Sequence, residues 1–181
     1  MHRIVKGHRS VRSFLAAKKE HITSVSWNPE VVIKEREITY QDTPGVIASK
    51  KKFPLRFCRT VEFNIVTTRR TFHLTIPAFN YDGCTILKVF EPIIGKRTDK
   101  KFRLASAVHD YICLIRKNLL EIEWGNCSPE DLINLSTELF YKLLVLKGVS
   151  SIKAGFMSTL VYIWQRYVNY KAWTNGKKIY Q

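Results

Sequence analysis

An α+β domain, in which a small antiparallel β-sheet is followed by three helices packed over it, is the fold that three observations in this 181-residue chain predict. Apolar and polar residues alternate through the first half, as in half-buried strands. From Asp99 onward the apolar period becomes helical. Ser128-Pro129-Glu130-Asp131 then supplies a helix start: a capping hydroxyl, a proline suited to the first turn, and acids at the positive end of the helix dipole.

A chain of this length fits one domain with an appended arm and can bury a substantial core without metal or disulfide staples. Thirty Lys and Arg against fifteen Asp and Glu leave a formal net charge of +15. Such an excess points to a polyanionic neighbour: nucleic acid, an anionic envelope polymer or an acidic protein surface. Cys58, Cys84, Cys113 and Cys127 show no C-x-x-C spacing, so reduced and partly buried thiols are expected. The N-terminus lacks the apolar run of a signal peptide. The most apolar late stretch, residues 154–164, is too short to span a bilayer and is bounded by Lys153 and Arg166. A soluble protein made in a cytoplasm is the expectation.

Residues 1–24 are basic and weakly amphipathic, with Ile4, Val5, Val11, Phe14 and Leu15 at helix-compatible spacings. Arg3, Arg9, Arg12, Lys18 and Lys19 lie between them, so the segment reads either as a solvated arm or as a docking arm for an anionic partner. Trp27-Asn28-Pro29 breaks this segment. Residues 31–40 are rich in β-branched side chains and predict a strand, with turn chemistry after it in Asp42-Thr43-Pro44-Gly45 and a solvated loop at Lys50-Lys51-Lys52. Residues 56–66 and 71–76 alternate polar with apolar and predict a hairpin whose tip exposes Arg69 and Arg70.

A first helix is expected over residues 100–116, with Phe102, Ala105, Val108, His109, Ile112, Cys113 and Ile115 largely on one face. The second runs from Ser128 to its stop at Gly148 and carries Leu132, Leu135, Leu139, Leu143 and Leu146. A third follows over residues 151–173, with Phe156, Leu160, Ile163, Tyr167 and Tyr170 as its buried stripe. This divides the chain into a basic arm and first strand (1–56), an α+β domain (57–173) and a polar tail (174–181).

Two stretches carry chemistry. Ile76-Pro77-Ala78-Phe79-Asn80-Tyr81-Asp82-Gly83-Cys84-Thr85-Ile86 puts an acid, a glycine and a hydroxyl at the end of a strand. Arg103-Leu104-Ala105-Ser106-Ala107-Val108-His109-Asp110-Tyr111 puts an arginine, a histidine and an aspartate on a helix. On that helix His109 and Asp110 diverge by about 100°, so both cannot aim squarely at one small ligand. Asp110 shares its face with Ser106 and Arg103, and His109 with Ala105 and Cys113. The functional reading sets Asp82 across a cleft from His109, whose imidazole it orients or charges as a general base or a metal ligand, with Asp110 as a third candidate and Arg103 and Thr85 as binding residues. The structural reading pairs Arg103 with Asp110, lets Asp82 cap a turn through Gly83 and Thr85, and uses His109 to tie helix to sheet.

Asp82, His109 and Asp110 supply three metal ligands at most, so neither metal nor cofactor is expected. His73 sits on a predicted strand, unlike the all-helical metal phosphohydrolases with a His-Asp motif. The chain has no P-loop, dinucleotide fingerprint or serine elbow. Trp27, Tyr40 and Trp173 do not cluster into a stacking motif for nucleic acid.

The first stretch, followed by the Ala107-Val108-His109-Asp110-Tyr111-Ile112 helix, resembles domain of unknown function family 1353, which is common in phage and prophage genomes. The likeness covers roughly residues 57–173. Members show Pro-Ala-Gly-Phe-x-Thr-Asp-x-Ala-Ser-x-Pro. Here the first glycine is missing, Cys84 replaces the alanine, Thr85 stands for the serine and Leu87 for the final proline. Phe140 and Gly148-Val149 keep the spacing of a later family helix, whose aspartate position holds Thr137. If the family's Asp, His-Asp and second Asp act together, this chain lacks one carboxylate and is either inactive or repurposed. The resemblance implies a virion-associated structural or assembly protein, found in the host cytoplasm and then the virion, that docks to other phage proteins or DNA; an oligomer is compatible with it. The alternative is a hydrolase-like enzyme acting through Asp82 and His109 on a cell-envelope or nucleic-acid polymer. Inhibition of a host enzyme is a third.

Overall fold

The computed structural model describes residues 20–83, 91–96, 98–119 and 127–168. The fold is α+β, as the order of sequence patterns predicts. The strands divide into two three-stranded antiparallel sheets rather than one. In the first, β4 (Val61–Thr67) lies between β1 (Ile22–Asn28) and β5 (Thr71–Ile76). In the second, β3 (Leu55–Phe57) lies between β2 (Ile33–Glu35) and β6 (Phe79–Tyr81).

Alternation explains the predicted hairpin. Val61, Phe63 and Ile65 of β4 face the core opposite Ile76, Leu74 and Phe72 of β5, while Glu62, Asn64, Thr71, His73 and Thr75 face solvent. Its tip differs from expectation. Arg70 is not free in solvent: its guanidinium holds the Glu20 carboxylate at 3.0 Å and lies over the Phe72 ring at 4.7 Å.

Residues 22–35, expected to be basic arm followed by a long strand, contribute strands to both sheets. β1 was hidden because its buried positions are interleaved with serines and a bulge between Ile22 and Ser24 breaks the alternation. The long strand expected over 31–40 shrinks to three residues. Beyond it, Asp42-Thr43-Pro44-Gly45 starts a helix rather than a turn: α1 (Pro44–Lys52) has Thr43 as N-cap and Pro44 in its first turn. The lysine cluster read as loop forms its last turn. Lys50 reaches back to Asp42 at 2.7 Å, and the Arg36 guanidinium donates to the Phe53 carbonyl at 3.0 Å. None of its residues is buried, so capping and charge pairing hold it, and no apolar stripe marks it in the sequence.

The helical half begins with the short α2 (Glu91–Ile94) and continues in α3 (Arg103–Asn118), α4 (Pro129–Leu146) and α5 (Ser151–Ile163). α4 has the predicted Ser128 cap, which Asp131 completes as a capping box, and it buries Leu132, Leu135, Leu139 and Leu143. It ends where Gly148 adopts φ +80°, a left-handed conformation that suits glycine. α4 packs between α3 and α5 and touches β1.

Most of the stripe expected to bury α5 is turned away from the core, although Leu160 is half-buried and packs against it. Phe156, Ile163 and Tyr167 are 41 %, 45 % and 77 % exposed, whereas Ala154, Met157 and Ser158 are buried. A π-helical turn (Trp164–Val168) then adds a residue to the helical cycle and brings Gln165 inside, at 1 % exposure. Tyr170 and the polar tail lie outside the described residues. Among the described residues no helix is long and apolar enough to cross a membrane.

Candidate functional site

β6 delivers Asp82 to the middle of α3. Within β6, Phe79 packs its ring against those of Phe57, Tyr81 and Tyr111 at centroid distances of 5.5–5.8 Å, pinning strand to helix. The buried Tyr81 donates its phenol proton to the Arg103 carbonyl at 2.9 Å. Burial and then the charge of Asp110 push the Tyr81 phenol upward, so it remains a neutral donor. Gly83 follows at φ +90°, allowing the backbone to turn as soon as Asp82 is placed.

Asp110 of α3 meets Asp82 there. It is 8 % exposed, and its Oδ2 has no hydrogen-bond donor among the described residues. Burial, then the charge of Asp82, then a hydrogen bond between the two carboxyls hold the Asp110 carboxyl well above the usual carboxylate range. Two carboxylates have no donor between them, whereas a carboxylic acid and a carboxylate do. The orphan Oδ2 and the neighbouring Asp82 are therefore reconciled by one proton held in the pair, on Asp110. The pair opens onto a cleft of about 150 Å³ whose other walls are Phe53, Phe79, Asn80, Tyr81 and Leu114.

His109 stands behind this pair rather than across the cleft from Asp82, as the 100° offset along α3 requires. Its Nδ1 lies 3.5 Å from Asp110 Oδ1 and its Nε2 is 2.5 Å from Gln165 Nε2. With that amide nitrogen as donor, Nε2 accepts and the ring proton sits on Nδ1, facing Asp110. The Gln165 Oε1 in turn accepts from the Thr137 hydroxyl at 3.2 Å. The edge of Phe140 against the imidazole, at 5.6 Å, and Cys113 Sγ at 3.7 Å from Nε2 complete the surroundings. A polar line thus runs from Thr137 through Gln165 and His109 to Asp110.

Arg103 does not pair with Asp110. Its guanidinium binds Glu35 and donates to the Thr98 carbonyl at 2.9 Å, clamping β2 to the start of α3. Thr85 and Cys84, together with Arg3, Arg9, Arg12, Lys18 and Lys19, lie outside the described residues. Among the described residues no three His, Cys, Asp or Glu side chains converge as metal ligands.

Sequence reasoning missed Gln165 and the cleft walls Phe53 and Leu114. Gln165 is a lone polar residue in Val161-Tyr162-Ile163-Trp164-Gln165, and helical periodicity gives no sign of the π turn that directs it inward. Thr137 drew notice only as a replaced aspartate; its hydroxyl supports His109 at one remove. The chain matches no protein-family model, no curated protein and no solved structure.

Proposed function

We propose that the Asp82–Asp110 pair is the general acid–base centre of a hydrolase-like enzyme acting on a cell-envelope polymer. The observation that carries this reading is the buried Asp110 carboxyl, whose Oδ2 has no donor among the described residues, beside Asp82 in the lining of one open cleft. In a pair that holds one proton, the ionised member accepts a proton from an attacking water and the protonated member donates to the departing nitrogen or oxygen. Asp82 is the base and Asp110 the acid. His109 is a positioning residue that holds Asp110 through Oδ1, and Asn80 offers an amide at the cleft edge. Phe53, Phe79 and Leu114 supply an apolar wall for a sugar ring or an amino-acid side chain. Among the described residues two acids and no lysine or arginine line this cleft, which suits a neutral amide or glycoside better than a phosphodiester. The sequence expectation of a phage protein, which no family-model match supports, gives a host envelope as the source of the polymer.

The test is release of new amino groups or reducing ends from purified envelope polymer. Asp82→Asn and Asp110→Asn are each expected to lower the rate by about 10²–10⁴-fold with the fold intact. Folded variants as active as wild type, or no release by wild type from any envelope polymer, would overturn the assignment.

A second reading, a virion-associated assembly protein docking to an acidic partner or DNA, is favoured by a different observation. Lys34 and Arg56 lie directly opposite each other across β2 and β3, both exposed, on a chain of net charge +15. Like charges in that register repel, and a bound polyanion relieves the repulsion. Docking of this kind predicts DNA binding that weakens steeply with salt and is reduced by Lys34→Ala with Arg56→Ala. Binding insensitive to both salt and the double substitution would exclude it.

A further inference from the structure

A second cleft, of about 250 Å³, lies where α4 and α5 meet the residues leading into β1. Asn134, Thr137 and Tyr141 are spaced at i, i+3 and i+7, so one face of α4 presents an amide, a hydroxyl and a phenol to it. Ser158 and Tyr162, one turn apart on α5, line it from the other side. Ser158 is 7 % exposed, and its Oγ meets no hydrogen-bond partner among the described residues. Leaving a buried hydroxyl unmatched is unfavourable, and a ligand hydroxyl would satisfy it.

The charges here narrow the ligand further. Glu20 is already held by Arg70 at 3.0 Å and by the Thr67 hydroxyl at 2.6 Å. Glu138 accepts from the Ile22 amide at 3.1 Å and has His21 Nδ1 at 3.5 Å. Two carboxylates repel an anion, and their existing partners leave little net attraction for a cation. What remains is a rigid set of acceptor lone pairs, a buried hydroxyl and two tyrosine rings. That combination matches a ring bearing hydroxyl donors at its edge and C–H groups on its faces. The volume lies below the ~300–1,000 Å³ of sites for drug-sized ligands, so it takes a single ring.

We propose that this cleft is a binding subsite for one neutral sugar ring. It also touches the carboxyl pair at a distance: a sugar hydroxyl bound to Thr137 meets the residue that holds Gln165, and through it His109. The proposal stands on the cleft's own geometry, not on the chemistry at Asp82.

The experiment is an amide-resolved NMR titration of the full chain with methyl β-glucoside and, separately, N-acetylglucosamine, with ethanolamine as a cationic comparison. Saturable shifts in the millimolar range are expected at residues 134–141 and 158–162 with at least one of the sugars. Asn134→Ala and Tyr162→Ala, both changing partly exposed side chains, should each weaken that binding about tenfold. Absence of saturable shifts with both sugars, shifts with ethanolamine alone, or sugar binding unchanged in both variants would overturn the proposal. Asp82→Asn should leave the titration as it is while removing hydrolysis, so failure at one cleft is distinguishable from failure at the other.

Discussion

Replacing Asp110 with asparagine should make the protein more stable at neutral pH, and the gain should vanish in acid. In the wild type a carboxyl that is 8 % exposed must either keep its proton or place a second negative charge beside Asp82, and its Oδ2 lacks a donor among the described residues. Asparagine has nearly the same shape, is never charged, and can donate its amide proton to the Asp82 carboxylate. Relief of one buried unsatisfied acceptor corresponds to about 1–3 kcal/mol. In a chain of this size that raises Tm by roughly 2–10 °C.

The sign with pH follows from the raised folded-state pKa of Asp110. Such a group contributes its full stability below its unfolded value of about 3.9 and loses it as pH rises through the folded value, at about 1.4 kcal/mol for each unit between the two. The Asp110→Asn curve lacks that loss, so it should cross the wild-type curve in acid and lie above it at neutrality. His109 is in contact with Asp110 and Asp82 faces it, so the comparison should be repeated in a His109→Asn background to remove the imidazole. The assay is thermal unfolding followed by circular dichroism from about pH 4 to about pH 8. Parallel curves, or a wild type more stable than the variant at neutral pH, would refute the claim that Asp110 is strained by its neighbour.

Gln165→Leu removes the donor to His109 Nε2 inside the helical layer and should cost about 1–3 kcal/mol in chemical denaturation, with an altered tautomer visible in imidazole ¹⁵N shifts. Phe79→Ala takes away a half-buried ring in contact with three others. It should destabilise by about 2–4 kcal/mol, somewhat less than a fully buried phenylalanine, and should also weaken substrate binding through loss of the cleft wall. Ser128→Ala breaks the capping box of α4 for about 1 kcal/mol, read as a lower denaturation midpoint, and should leave the hydrolytic rate unaltered.

Elements that announce themselves chemically were legible in the sequence. β4 and β5 follow from strict alternation, and α4 follows from Ser128-Pro129 and its leucine stripe. Elements without an apolar stripe or a clean alternation were not: α1 buries none of its residues, and β1 hides behind serines and a bulge. Much of the α5 stripe failed because burial there follows Ala154, Met157 and Ser158, with Leu160 half-buried, instead of the aromatic residues. At the site, the acid ending a strand and the His-Asp pair on a helix do come together, but which of the two α3 side chains meets Asp82 depends on the rotation of α3. Arg103 shows the same limit, since its partner Glu35 is 68 residues away in sequence.

The carboxyl ¹³C resonances of Asp82 and Asp110, followed through a pH titration, test the shared proton most directly. Asp110 should remain protonated well above the ordinary carboxylate range, and its ionisation should perturb the Asp82 signal. An Asp110 titration complete near the usual aspartate value of about 3.9, with no response at the Asp82 signal, would contradict a proton held between them.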